Sequence, residues 1–315
     1  MEIQMAELDV KVLNERVSLD PVQAVAEAEQ VYHKRVGEIA DYVVSHGDIR
    51  VILLAGPSGS GKTTTANLIK DALILRGEES IVVSLDDFYR DAGDPGYPRL
   101  ENGERDFECP ESLHLCEIAD LIGKISRAEP FRLPKYDFKV GRRVEISDPI
   151  SLPRGCVIIE GLHALNPRIY EGLSDGSILK LFVSVSTNVN REGERILSGR
   201  KIRFLRRLVR DSIYRGADAL RTLSMWQEVL AAEDIYLYPY KGLADIAFDT
   251  FHLFELSVMK PYAVGLLTDG VTSVSEYAAV VSSALSCIDA IEEKLVPENS
   301  LIREFIPGGI YEDIY

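Results

Sequence analysis

Cysteine, histidine and tryptophan are scarce in this 315-residue chain, at four, five and one. Cys109, Cys116, Cys156 and Cys287 form no C-x-x-C pair and stand at no metal-ligand spacing with the histidines. That excludes a zinc-ribbon or disulfide-framework reading and predicts idle thiols in a reducing compartment, the cytoplasm. Positive charge is outnumbered, with 35 Lys and Arg against 50 Asp and Glu, a net of −15. Nucleic acid and anionic membrane surfaces are repelled at long range by such a chain, so neither is expected as the main partner. No apolar run approaches the ~20 residues of a membrane span. The N-terminus MEIQMAELDV is acidic and lacks the apolar core of a signal peptide. Repeats and low-complexity segments are absent as well. The remaining composition, 46% hydrophobic and 27% charged, is that of a globular chain able to bury a sizeable core.

Against that background one segment stands out. Residues 56–63 read GPSGSGKT, a full match to the phosphate-binding pattern G-x-x-x-x-G-K-(S/T). Val51 to Ala55 ahead of it is a short apolar run that reads as a buried strand. Thr63 to Leu75 behind it suits a helix, with Gly77 as its C-terminal stop. Gly56, Gly59 and Gly61 let the backbone curl and turn its amides inward. The helix N-terminus and Lys62 add positive charge. A polyphosphate is therefore expected along Gly56, Ser58, Gly59, Ser60, Gly61, Lys62, Thr63 and Thr64, with Thr63 placed to hold Mg²⁺.

The rest of the chain alternates strand and helix signals. Pro21 to about His46 reads as one long helix, capped by Ser18 or Asp20, with Ala24, Ala28, Val31, Ile39 and Val43 as its apolar stripe. Ser80–Leu85, Cys156–Gly161, Leu179–Val185 and Asp245–Phe248 read as further strands. The helical patterns between them favour βαβ units and a parallel sheet. Residues 90–111 form a long surface excursion, and such loops tend to be functional. A helix from about Glu111 to Arg127 follows. Val274 to about Leu295 reads as a last helix, with Ser273 and Glu276 as a capping box.

Ligands of an open parallel sheet bind at the carboxyl ends of its strands, where Asp86, Asp87 and Glu160 fall. Phosphoryl transfer needs one carboxylate to take the proton of the attacking hydroxyl and others to hold the metal. Asp86 or Asp87 suits the first task and Glu160 the second. In SGRKIRFLRRLVRDSIYRG, Arg203, Arg206, Arg207 and Arg210 share one helix face, opposite Ile202, Leu205, Leu208, Val209 and Ile213. Such a cluster suits an arginine lid over phosphates; a solvated face paired with local acids, or an RNA-binding patch, are the alternatives. Tyr136-Asp137-Phe138, after Pro134, could stack on and hydrogen-bond a substrate.

GPSGSGKT, SLDDFY (84–89), LPKYDF (133–138), IIEGLHAL (158–165) and RRLVRDSIYRG (206–216) occur in the order found in the uridine kinase/phosphoribulokinase family. The chain resembles that family over about residues 25–270, and its remainder is similar to a bacterial uridine-kinase-like subgroup. It is expected to lack the extra N-terminal domain that some of those carry. The resemblance implies an α/β P-loop NTPase fold: a doubly wound parallel sheet with a helical N-terminal extension (1–48), a kinase domain (49–270) with an arginine-rich lid (about 195–220), and a C-terminal helical cap (271–315). It implies ATP and Mg²⁺ as cofactors and a small-molecule hydroxyl as acceptor. Asp86 becomes the base, Tyr89 a neighbour of the acceptor, and Glu160 a helper of the metal. Arg207, Arg210 and Arg215 become lid or phosphate contacts, and Tyr136 and Phe138 line the acceptor site. Three positions depart from the family pattern. Glu108 stands where uridine kinases place an Asp that grips the ribose hydroxyls. Gly141 stands where they carry a base-contacting His. Ala217 replaces the last lid Arg. The phosphoryl-donor half is intact, whereas the nucleoside-reading half is changed. A uridine- or cytidine-like nucleoside, a sugar, polyol or pantothenate-like alcohol, and an ATP-driven switch without an acceptor all stay open, as does homo-oligomerisation.

Overall fold

A computed structural model describes residues 6–100, 102–171 and 175–311. The expectations for residues 1–5 and 312–315 lie outside the described residues. In chain order, the elements begin with β1 (Glu7–Asp9), α1 (Val10–Leu19), α2 (Pro21–Ser45), β2 (Val51–Ala55), α3 (Lys62–Ile74), β3 (Ser80–Ser84) and α4 (Leu115–Ser126). The hairpin β4 (Pro134–Asp137) and β5 (Arg142–Ile146) follows, then β6 (Cys156–Glu160), β7 (Ile178–Ser184), β8 (Asn188–Arg191) and β9 (Glu194–Leu197). The last stretch holds α5 (Gly199–Arg215), α6 (Ala219–Tyr236), β10 (Ile246–Asp249), α7 (Glu255–Leu266), α8 (Asp269–Thr272) and α9 (Glu276–Ser286).

The main sheet runs β10-β7-β2-β6-β3, and every pairing in it is parallel. This is the doubly wound arrangement expected. β2, β6 and β7 are apolar almost throughout because both faces of the sheet are covered. One face packs α2, α3, α5, α7 and α9 against residues such as Ile52, Leu54 and Ile158. The other packs α4 against Leu53, Val157 and Ile159. The chain leaves β2 for β3 on one side and later returns to β7 on the other. The loop after β2 therefore sits at the topological switch point, where a ligand crevice opens.

Three local expectations are corrected. In α2, Asp20 caps through Gln23 as expected, but Val31 is 72% exposed. The buried face is Ala24, Val25, Glu29, Tyr32, Val36, Ile39, Ala40 and Val43. It includes a carboxylate and a phenol, which a purely apolar reading passes over. The last helix ends at Ser286 and is capped by Ser275, not Ser273. Tertiary partners end it: Asn14 takes the Cys287 carbonyl (2.8 Å) and accepts from the Asp289 amide (2.9 Å), and Lys260 takes the Ile288 carbonyl. β3 stops at Ser84, and residues 85–88 form a turn of 3₁₀ helix capped by Ser84. Among the described residues, no helix is long and apolar enough to cross a membrane.

Candidate active site

The loop between β2 and α3 depends on its glycines at two points. Gly59 and Gly61 have φ of +72° and +84°, a region that costs other residues strain. Gly56 has a different reason: a Cβ there would lie 2.3 Å from the Val183 carbonyl, so the residue makes room for β7.

The carbonyls of the loop are individually tied. The Ser58 carbonyl accepts from Arg203 (2.8 Å), that of Gly59 from Arg206 (3.2 Å) and that of Ser60 from Thr250 (2.7 Å). With the carbonyls held from behind, the peptide planes are fixed, and amides that remain free present an anion cradle without reorganisation. Arg203 and Arg206 are themselves locked. Arg203 forms a bidentate pair with Glu233, both bonds 2.8 Å, and Arg206 pairs with Glu255 at 3.0 and 2.7 Å. All four side chains are essentially inaccessible.

This corrects the reading of the arginine helix. α5 is buried on its arginine face as well as on its apolar one. Arg203 and Arg206 brace the loop from inside: they are neither solvated nor paired with local acids, because Glu233 and Glu255 lie 30 and 49 positions away. Arg207 and Arg210 differ. Arg207 donates to the Ser58 hydroxyl (2.9 Å). Arg207, Arg210 and Arg215 all converge on Asp211, at 3.2, 2.9 and 3.3 Å. Three guanidinium groups share one carboxylate and leave a surplus of positive charge. Repulsion from Arg210, with burial second, holds Arg215 down to about 10. An incoming anion relieves that repulsion.

Asp86 and Asp87 separate cleanly. Asp87 accepts from the Tyr136 amide (3.2 Å) and pairs with Lys135, which pins β4 beside the site. Among the described residues, the Asp86 carboxylate makes no hydrogen bond. Asp86 is exposed to solvent just beyond the end of β3, although much protein lies around it. Burial raises its carboxyl, opposed by the charges of Lys62 and Arg215. Because the side chain is exposed, water screens that push. Glu160 ends β6, and its carboxylate accepts from the Thr63 hydroxyl at 3.4 Å. Burial pushes it up to about 7, with Lys62 opposing and Asp86 reinforcing. A buried carboxylate beside a hydroxyl, with no ion pair among the described residues, fits a hard cation that takes oxygen ligands.

Across from the phosphate loop, Asp106 accepts from the amides of Glu108 and Cys109, both 3.0 Å, which fixes the backbone at Glu108. Burial lifts Glu108 to about 7, with Arg207 opposing and Asp86 reinforcing. Tyr89 holds the Phe107 carbonyl (2.8 Å) and packs its ring against Tyr136 and Phe138 at 5.8 and 5.6 Å. Tyr136 is buried, whereas Phe138 is 59% exposed at the hairpin edge. His163, within IIEGLHAL, is buried behind Glu108 and held neutral: burial pushes it down to about 4.

The raised Glu108 has a measurable consequence. An acid lifted from 4.5 to about 7 binds more protons in the native than in the unfolded state, so its contribution to stability falls as pH rises across that window. His163 and His252, both pushed down by burial, slope the other way below about 6.5. A difference measurement removes their effect. Between pH 5 and 8 the melting temperature of Glu108→Gln should gain on that of the wild type, and thermal melts at several pH values check it.

A model of the phosphoribulokinase/uridine kinase family matches residues 51–256. The chain belongs to that family. The match begins at β2 and ends two residues into α7, so it takes in the phosphate loop, Asp86, Glu108, Glu160 and the arginines of α5. Among its members, the uridine kinase of Borrelia hermsii is 28% identical over 199 residues, covering 63% of this chain and 85% of that protein. Uridine kinase-like protein 5 of Arabidopsis thaliana is 28% identical over 198 residues, covering 62% and 38%. The uridine kinase of Saccharomyces cerevisiae is 27% identical over 205 residues, covering 65% and 37%. The chain thus spans less than two-fifths of the length of the last two relatives.

Sequence reasoning missed Asp211, Glu233, Glu255 and His163. Asp211 was within sight, four residues after Arg207. Glu233 and Glu255 carry no local signal, because their partners lie 30 and 49 positions away.

Proposed function

We propose that this chain is a kinase that transfers the γ-phosphoryl group of ATP to a hydroxyl of a small molecule. The observation that carries the reading is the convergence, beside a braced phosphate loop, of Asp86, whose carboxylate has no hydrogen-bond partner among the described residues, and an under-neutralised arginine triad. Asp86 takes the proton of the acceptor hydroxyl as its oxygen attacks the γ-phosphorus. The new O–P bond forms as the bond to the bridging β–γ oxygen breaks, and ADP leaves. Lys62, the loop amides and Arg207, Arg210 and Arg215 stabilise the charge on the phosphoryl oxygens. Thr63 and Glu160 would hold Mg²⁺, which when bound neutralises the β and γ oxygens.

Glu108 is suited to accept hydrogen bonds from acceptor hydroxyls, and Tyr89, Tyr136 and Phe138 offer ring faces. Those features, with the names of the relatives, favour a nucleoside such as uridine or cytidine. A second reading has its own observation. Gly141 has φ of +72°, and a Cβ there would lie 2.9 Å from that of Ala92. A base-reading histidine does not fit at that position without strain, which favours a non-nucleoside alcohol.

The test is ADP release with MgATP against uridine, cytidine, other nucleosides, sugars, polyols and phosphorylated sugars, with Asp86→Asn as the blank. Stimulation by a pyrimidine nucleoside supports the first acceptor class. Stimulation only by a sugar or polyol supports the second. Silence with ATP still bound would overturn the kinase reading in favour of an ATP-driven switch.

A further inference from the structure

The segment after α9 returns to the phosphate loop. Leu301, Ile302, Phe305 and Ile306 are fully buried. Leu301 packs so closely on the loop that a Cβ at Gly61 would lie 2.6 Å from its Cδ1. The ring of Phe305 lies 5.0 Å from the Arg206 guanidinium, and the Ile306 carbonyl accepts from Tyr214 (3.0 Å). Ser300 donates to Glu29 of α2, so that helix also grips the segment. Arg303 is tied to the Glu293 and Val296 carbonyls at 2.9 and 2.6 Å.

This packing aims one side chain into the site. The buried carboxylate of Glu304 accepts the backbone N–H of Thr64 at 3.2 Å, in the first turn of α3. Among the described residues, Glu304 has no basic ion-pair partner. In a phosphate loop, the lysine reaches the β and γ groups while loop and helix amides take the α and β groups. The amide two residues beyond Lys62 therefore faces the phosphate next to the nucleoside. In this chain an internal anion already holds it.

We propose that Glu304 is a donor-affinity residue, which competes with the α-phosphate of the incoming nucleotide for the Thr64 amide. This rests on the loop being the nucleotide site. Binding a nucleotide requires the carboxylate to withdraw or to sit against a phosphate of like charge, and either weakens binding. A ligand that reaches only the Lys62 end escapes the competition.

The experiment titrates full-length protein calorimetrically with MgATP and, separately, with magnesium pyrophosphate. Glu304→Gln keeps the shape and removes the charge; Glu304→Ala removes the competitor. Glu304→Asp keeps the charge but withdraws it by one methylene, and serves if neither neutral variant folds as judged by melting. In Glu304→Gln, MgATP should bind roughly tenfold tighter, since like charges in close contact are strongly disfavoured. Pyrophosphate should change by no more than about twofold, as it spans only the distal cradle. Glu304→Asp should shift MgATP in the same direction by less. Equal gains for both ligands would overturn the proposal, leaving only a general charge effect. Weaker MgATP binding would overturn it by making Glu304 a contact of the nucleotide. Absence of binding by either ligand to wild type and variants alike would refute the phosphate-loop reading itself, and this inference with it.

Discussion

Asp86→Asn should lower turnover by roughly a thousandfold, within the range a positioned general base supplies, and leave MgATP affinity within about threefold. Among the described residues, the Asp86 carboxylate is bound to no protein group, so its loss uncovers no buried partner. Neighbouring Asp87 cannot take over, because its oxygens are committed to the Tyr136 amide and Lys135. Single-turnover kinetics with a responding acceptor measure the first quantity and calorimetry the second. Retention of most activity would move the base elsewhere in the cleft.

The second large effect falls on stability. Arg206→Met should destabilise the protein by about 3–5 kcal/mol, because it leaves Glu255 buried and unpaired. Denaturant unfolding measures this. Adding Glu255→Leu should recover much of the loss, since an apolar pair can replace a buried ion pair at little net cost. Nucleotide affinity should not recover with it. The Gly59 carbonyl loses its donor in both variants, and the loop loses the brace that fixes its amides. A double variant that regained both stability and affinity would mean that Arg206 only fills space.

What could be read from the residues alone follows the range of the forces involved. Val51–Ala55 and Cys156–Glu160 declare themselves because a strand buried on both faces must be apolar throughout. GPSGSGKT declares itself because local backbone geometry dictates its glycines. Arg206 and Arg207 look alike in sequence, yet one is locked in the interior and the other faces the cleft. Which does which depends on Glu255 and Asp211, and only the three-dimensional arrangement assigns the partners. Val31 misled for a related reason: the face of α2 that packs on α3 carries Tyr32, whose hydroxyl meets Thr65 at 2.6 Å, and a hydropathy reading favours the neighbouring valine. Glu304 lies in the C-terminal segment SLIREFIPGG, but nothing local marks it as the partner of an amide 240 positions away.

The ties that Glu29, Ser300, Thr64 and Glu304 make across the chain also set an order of events in biogenesis. The surroundings of the phosphate loop draw on residues near 30, near 60 and beyond 300, so they close only after synthesis has passed residue 304. At about 5–20 residues per second, the loop with its helix and strand precedes its last partners by some tens of seconds or less. During that interval the emerging chain carries an unfinished cradle, and contacts of such long sequence separation are slow to form. Competence to bind an anionic ligand therefore arrives as a unit, coupled to synthesis of the segment around residue 304.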